Sequence, residues 1–202
     1  MNFWKAATLA LALAACVILG AIVFVGANEA LSPRAGESAA APAARGEPLA
    51  PVSGRIDSGS RLVIPSIGVD AAVVVIGTLP GGEMATPSNG YDAGWYDFST
   101  PPGQPGNTMM TGHVDYDVGP AVFYRLRDLG PDDEVQVRLS SGETVVYRVT
   151  QTESYPRSSA PLDEIIGDTE EDTITLITCD GAFDPSVRLY DHRLVVRGER
   201  VR

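Results

Sequence analysis

Residues 134–150 read EVQVRLSSGETVVYRVT, and this stretch decides the fold class. Apolar and polar side chains alternate over 134–139 and again over 143–150. This alternation is the period of a β-strand with one buried face. The three residues between the two runs, SSG, are typical of turns. The stretch therefore predicts a β-hairpin.

Similar short runs lie on both sides of this hairpin. They are RLVI and VDAAVVVI, separated by Pro65–Gly68, then NTMMT at 107–111, TITLITC at 173–179 and RLVVRG at 193–198. Helices are predicted at 120–129 and 161–166, and both are short. The chain also contains 21 Gly and 15 Pro, which argues against a helical bundle. Residues 61–202 are therefore predicted to form an all-β domain, either a barrel or a sandwich.

An uncharged apolar segment precedes this domain. Residues 6–27 read AATLALALAACVILGAIVFVGA, and as a helix they would extend over roughly 33 Å, enough to cross the hydrocarbon core of a bilayer. Lys5 before the segment predicts a cytoplasmic N-terminus, so residues 1–27 are predicted to be a single-pass transmembrane anchor. Two alternatives also place the domain outside the cytoplasm. One is a signal peptide cleaved near its end, and the other is a lipoprotein box with a lipidated Cys16.

Residues 28–60 join the predicted anchor to the domain. They are rich in Ala, Pro, Gly and Ser and follow neither a helical nor a strand period. Such a segment cannot bury enough apolar surface to offset the entropy lost on ordering. It is predicted to be a disordered stalk that holds the domain away from the membrane.

The charge and the counts of special residues exclude several classes of protein. There are 15 Lys and Arg against 26 Asp and Glu, a formal charge of −11, which argues against a nucleic-acid partner. Two Cys and two His exclude a disulfide framework and an all-cysteine zinc site, so no cofactor or metal is predicted. The acidic run at 168–172 has the oxygen ligands that calcium prefers, but a solvated loop is the favoured interpretation.

Cys179 is the single cysteine of the predicted domain and ends the run TITLITC. One interpretation is a buried structural thiol, and another is an intermolecular disulfide. A third is a nucleophile at the rim of the sheet, because the strand ends there before Asp180 and Gly181. A nucleophilic thiol needs a nearby base, and the two candidates are His113 and His192.

At these residues the sequence resembles the sortase family. The resembling pieces are the TGH of 111–113, the TLITC of 175–179 and HRLVVRG at 192–198. Their order, His then Cys then Arg, differs from papain-like and NlpC-like hydrolases, in which Cys precedes His. The flanking segments RLVIPSIGVDAAV, GWYDFSTPPGQPGNTMMTGHVD, AVFYRLRDLGPDDEV and TESYPRSSAPLDEI are most similar to class F sortases, with class E next.

The resemblance implies an eight-stranded β-barrel and a membrane-anchored transpeptidase. Cys179 would attack a carbonyl in a C-terminal sorting motif of the Leu-Pro-x-Thr-Gly type and form a thioacyl enzyme. His113 would protonate the departing amine, and Thr178 would help to position the substrate carbonyl. The implied partners are the sorting-signal peptide and an amine acceptor, either a cell-wall precursor of Gram-positive bacteria or another protein. The enzyme is expected to be a monomer.

The resemblance leaves a choice between two arginines for the contact to the substrate oxyanion. Class F sortases carry Tyr-Arg-Asp-Asn before the last strand, whereas this chain has Tyr190-Asp191-His192-Arg193. The HRLVVRG stretch instead is similar to the His-Arg-Leu-Leu-Val-Arg-Gly of other classes, which favours Arg193. Arg188 is the alternative. Because the arginine is shifted, a second hypothesis remains, a catalytically silent β-barrel that binds peptides or assembles at the cell surface.

Overall fold

The structure is a computed structural model that describes residues 55–117 and 119–201. The predicted anchor at 1–27 and all but the last six residues of the predicted stalk at 28–60 lie outside these described residues. Within the described ranges, no helix has both the length and the apolar character needed to cross a bilayer.

The described residues form ten strands and one short α-helix. The strands are β1 Arg61–Ile64, β2 Val69–Ile76, β3 Ala93–Tyr96, β4 Gly106–Thr111, β5 Asp115–Tyr116, β6 Gly119–Pro120, β7 Glu134–Arg138, β8 Thr144–Pro156, β9 Asp172–Asp184 and β10 Leu189–Arg200. The helix is α1 Leu162–Ile166, and single 3-10 turns occur at Pro65–Ile67 and Leu126–Asp128.

Eight of these strands close into a barrel in the order β1-β2-β3-β4-β9-β10-β8-β7. Pairing of β1 with β7, antiparallel, closes it. The β2/β3 and β4/β9 pairs are parallel, and the others are antiparallel. The sequence left a barrel and a sandwich open, and the barrel with eight strands is confirmed. Strands β5 and β6 form a separate two-stranded ribbon.

The predicted hairpin at 134–150 is confirmed as β7 and β8, and its alternation matches burial. The side chains that face the interior, Val135, Val137, Val145, Tyr147 and Val149, are all buried. The residues between them are mostly half-buried or exposed. Burial of each such apolar side chain stabilises the fold by about 1.5–3 kcal/mol, so the register of the hairpin is strongly determined.

The helix predicted at 120–129 is wrong, because this segment contains only the 3-10 turn at Leu126–Asp128. Its three buried apolar side chains, Phe123, Leu126 and Leu129, are spaced three residues apart. A spacing of three suits the 3-10 period, whereas an α-helix of this length would rotate one of them away from the barrel. The helix predicted at 161–166 is confirmed as α1.

Strands β9 and β10 are longer than the apolar runs that predicted them. They continue as a paired hairpin past Cys179, through residues 180–184 and 189–192. These extensions are polar or exposed, so they carry no alternating pattern, and only their pairing defines them as strands. The pairing register shifts between Tyr190 and His192, which indicates a β-bulge just beyond the Cys179–Arg193 pair.

Strand β3 was not predicted from the sequence. Its four residues, Ala93–Tyr96, are all buried, because β3 lies between β2 and β4 in the barrel wall. Trp95 lies in the hydrophobic core. Four buried residues in a row show no period of two, which explains why this strand was missed.

The described residues before β1 pack against the barrel. Ile56 is buried in the hydrophobic core, and the Ser140 hydroxyl donates a hydrogen bond to Asp57 at 2.5 Å. Ile56 and Asp57, which fall in the range assigned to the stalk, therefore contact the barrel.

Candidate active site

His113, Cys179 and Arg193 line one cavity of about 450 Å³ at the rim of the barrel. The other lining residues are Glu83, Met84, Thr86, Tyr96, Thr111, Gly112, Arg157, Ile177, Thr178 and Leu189. His113 and Cys179 are 66 positions apart in the sequence, and the fold brings them into one wall.

Strand pairing places the three residues side by side. Thr111, the last residue of β4, pairs in parallel with Ile177 of β9. His113 lies two positions after Thr111, and Cys179 lies two positions after Ile177. On the other side of β9, Cys179 pairs directly with Arg193 of β10. Side chains of directly opposed residues lie on the same face with Cβ atoms about 5 Å apart, so Cys179 lies between the two other groups.

Gly112 allows the segment at Val122 and Phe123 to pack closely against the backbone before His113. A Cβ atom at this position would lie 2.7 Å from Val122 and 2.8 Å from Phe123, which is closer than packed atoms approach. The Thr178 hydroxyl donates to the Gly112 carbonyl at 2.7 Å. The Thr111 hydroxyl donates to the Ile177 carbonyl at 2.9 Å. These two bonds link the backbone before His113 to the strand that carries Cys179.

Thr178, which the resemblance assigned to substrate positioning, lines the cavity but is buried. Its hydroxyl hydrogen is already used in the bond to Gly112. Its oxygen can still accept, but it has no second hydrogen to donate to a substrate carbonyl. The geometry therefore assigns Thr178 first to holding the backbone next to His113.

The imidazole of His113 has a defined orientation. Its Nε2 lies 2.8 Å from the Pro87 carbonyl oxygen, and its ring packs against Tyr116 with 5.1 Å between ring centroids. A carbonyl oxygen can only accept, so Nε2 carries a hydrogen. In neutral His113 the nitrogen that can accept a proton is therefore Nδ1.

The thiol of Cys179 is half-buried, and burial raises its pKa. The Arg193 guanidinium opposes this effect by favouring the thiolate, whereas the Asp115 carboxylate raises the pKa further. Burial is the largest of the three effects. At neutral pH the resting thiol therefore keeps its proton, and a reaction at sulfur requires that the proton be removed.

The structure separates the two candidate arginines. Arg193 is half-buried in the cavity wall, where its Nη1 donates to the His192 carbonyl at 2.9 Å. Arg188 is exposed in the turn between β9 and β10, with a left-handed backbone at φ 54°. Arg193 therefore lies beside Cys179, whereas Arg188 is not among the residues that line the cavity.

His192 and Asp115 have partners outside the proposed chemistry. The Nδ1 of His192 lies 2.7 Å from the Asp191 carboxylate, and His192 is not among the cavity-lining residues. The Asp115 carboxylate accepts a hydrogen bond from the Tyr190 hydroxyl, which raises the pKa of Tyr190 to about 12.

Sequence reasoning missed the segment that faces His113 across the cavity. Glu83, Met84 and Thr86 line the cavity, and Pro87 binds His113. This segment was missed because its sequence has no strand or helix period. The pair Asn89-Gly90, which is typical of turns, was its one local signal.

The acidic run at 168–172 takes part in the framework of the barrel. Asp168 accepts the backbone N–H of Asn107 at 3.1 Å, and Asp172 forms an ion pair with Arg200 at 3.1 Å. Across the described part of the chain, no group of three or more His, Cys, Asp or Glu side chains is arranged to hold a metal ion.

Comparisons with known proteins agree with this architecture. The sortase domain family matches residues 62–201. Sortase C-1 from Actinomyces oris is 29% identical, with a TM-score of 0.56, over 73% of this chain and 74% of that chain. Sortase A from Corynebacterium diphtheriae is 25% identical, with a TM-score of 0.56, over 73% of this chain and 62% of that chain.

A sortase D5 transpeptidase from Clostridium perfringens shares the fold at 19% identity, with a TM-score of 0.54, over 72% of this chain and 80% of that chain. No curated protein matches the sequence. The family match covers more than half of the chain, and the barrel and the cavity agree with it. The chain therefore belongs to the sortase family of cysteine transpeptidases.

Proposed function

We propose that this sortase cleaves a sorting motif of the Leu-Pro-x-Thr-Gly type between Thr and Gly and transfers the acyl group to an amine. The observation that carries the proposal is the single cavity wall in which Cys179 lies between His113 and Arg193. A nucleophile, a proton carrier and a fixed cation are the groups that acyl transfer through a thioester requires.

The first half of the reaction forms the thioester. Nδ1 of His113 accepts the proton of the Cys179 thiol, and the sulfur attacks the Thr carbonyl carbon of the motif. The C=O electron pair moves to oxygen, and the Arg193 guanidinium donates hydrogen bonds to the resulting oxyanion. When the tetrahedral intermediate collapses, the C–N bond breaks. His113 gives its proton to the departing glycine amine.

The second half of the reaction releases the acyl group. An incoming amine attacks the thioester carbonyl, and His113 accepts a proton from it. The C–S bond then breaks, an amide forms, and Cys179 leaves as a thiolate that recovers its proton from His113. Water can replace the amine, in which case the product is a free carboxylate.

The lining of the cavity supports a short peptide with apolar residues as the substrate. Met84, Ile177 and Leu189 offer apolar surface next to the catalytic groups. This surface suits the Leu and Pro of the motif. We also propose that residues 1–27 anchor the enzyme in the cell membrane, with the domain outside. The class F assignment, with class E next, is likewise part of the proposal.

The experiment is cleavage of a fluorescent sorting-motif peptide by the purified full chain, with and without an added amine acceptor. Cys179→Ala should abolish cleavage, and mass spectrometry should find the acyl group on Cys179 of the parent enzyme. Cys16→Ala is the matched control, because it changes the other cysteine of the chain. Full activity in Cys179→Ala would contradict the proposal.

A further inference from the structure

The catalytic imidazole is held by a group that the reaction itself does not use. The Pro87 carbonyl accepts the hydrogen of His113 Nε2 at 2.8 Å, although Pro87 lies in a loop outside the barrel strands. A loop carbonyl orients a side chain only if the loop is itself fixed. The structure shows what fixes residues 87–90, referred to below as the 87–90 loop.

Tyr116 contacts this loop at two points. Its hydroxyl donates to the Ser88 carbonyl at 2.8 Å, next to the carbonyl that binds His113. The Cβ and the adjoining ring atoms of Tyr116 pack on Gly90, where an added Cβ atom would lie 2.6 Å from the Cβ of Tyr116. Pro87 and Gly90 are buried, as expected for a loop packed against a side chain.

Tyr116 also contacts the imidazole directly. The rings of His113 and Tyr116 lie 5.1 Å apart between centroids, tilted by 54°. Tyr116 itself belongs to the β5/β6 ribbon, where it pairs with Gly119. Tyr116 is not among the residues that line the cavity.

From these contacts we infer that Tyr116 is a positioning residue, which holds the 87–90 loop and the His113 ring so that Nε2 keeps its hydrogen and Nδ1 exchanges protons. This inference rests on the proposed function, in which His113 is the proton carrier. Without Tyr116, the loop keeps the hydrogen bond from Val122 N–H to the Gly90 carbonyl but loses its contacts beside Pro87, so the Pro87 carbonyl is held less firmly and neutral His113 can carry its hydrogen on either nitrogen. Only part of the enzyme then presents an accepting Nδ1.

The test compares Tyr116→Phe and Tyr116→Ala with the parent full chain. Tyr116→Phe loses the bond to Ser88 and keeps the ring, so kcat should fall about 2–10-fold, the usual effect of one neutral hydrogen bond. Tyr116→Ala also loses the ring contact, so its kcat should be roughly 30–100-fold below that of the parent, while its KM stays within about twofold. Tyr124→Phe, at an exposed tyrosine outside the cavity, is the matched control and should match the parent.

A spectroscopic measurement reports the imidazole without using activity. The chain has two histidines, so 15N NMR of histidine-labelled protein gives two sets of ring signals, with His192 as the internal reference. The parent should show neutral His113 with the hydrogen on Nε2. Tyr116→Ala should show a mixture of both neutral forms, and Tyr116→Phe should lie between the two.

A second variant reaches the same contact from the loop. Gly90→Ala puts a methyl group against Tyr116 and should produce the same mixture of His113 forms. The double variant Gly90→Ala, Tyr116→Gly should be no worse than Tyr116→Gly, because the Cβ of residue 116 that the new methyl group would meet is then absent.

Unchanged His113 signals in Tyr116→Ala, or a loss confined to KM, would overturn the inference. If the parent cleaves no sorting-motif peptide, the proposed function fails, but the NMR result still decides the role of Tyr116.

Discussion

Replacing Arg193 by Gln is expected to slow peptide cleavage by about 10²–10³-fold, whereas Arg188→Gln should leave the rate within twofold. Gln keeps a polar side chain in both places and removes one positive charge. Arg193 pairs directly with Cys179, and Arg188 lies in the exposed turn five residues earlier. The two variants therefore carry the same chemical change at two distances from the sulfur.

The expected magnitudes follow from these distances. A charge about 5 Å from the oxyanion, at an effective dielectric constant of about 20, contributes about 3 kcal/mol. This figure agrees with the measured effect of single oxyanion donors, about 3–4 kcal/mol. Arg188 is exposed in the turn before β10 and does not line the cavity, so water screens its charge. An exposed charge about 10 Å away in water contributes about 0.4 kcal/mol before salt reduces it.

The assay is steady-state cleavage of the sorting-motif peptide by each purified variant, after circular dichroism has shown that it is folded. The loss in Arg193→Gln should appear mainly in kcat, since the oxyanion exists only during reaction. Arg193→Lys should recover only part of the rate, because an ammonium lacks the planar set of donors. A severe loss in Arg188→Gln beside a mild one in Arg193→Gln would refute the assignment from strand register.

Three further predictions test the electrostatics, the base and the core. Asp115→Asn removes a carboxylate that disfavours the thiolate, so the pKa of Cys179 should fall. The pH at which the alkylation rate of Cys179 increases should then be lower than in the parent, and a higher pH would contradict the reasoning. His113→Ala should cost about 10²–10⁴ in cleavage rate and His192→Ala far less, measured with the same peptide, and the reverse order would exchange their roles. Phe123→Ala should lower the free energy of unfolding by about 3–5 kcal/mol in urea titrations, because the ring is fully buried; a change below 1 kcal/mol would contradict its place in the core.

Local patterns in the sequence were sufficient for most of the strands. The period of two over 134–150 predicted β7 and β8, since each side chain there either faces the core or faces solvent. The same signal is missing from β3, which is buried on both faces, and from the ends of β9 and β10, which are exposed on both. A periodic pattern arises only when the two faces of a strand have different surroundings.

The sequence by itself determined the chemistry that this protein can perform. It contains one thiol in the domain, two imidazoles and an arginine in the strand after the thiol, and these residue types limit the reaction to a small set. Only the tertiary structure decided which of these groups meet. Arg188 is nearer to Cys179 along the chain than Arg193 is, but the β9/β10 register places Arg193 directly opposite Cys179.

The same holds for the closure of the barrel and for the reactive nitrogen of His113. Closure depends on β1 pairing with β7, more than 70 residues away, and the nitrogen depends on a carbonyl 26 residues earlier. The physical reason is that local pattern records only whether a side chain is buried. Which partner buries or binds it follows from the packing of the whole chain, which minimises exposed apolar surface and unpaired polar groups together.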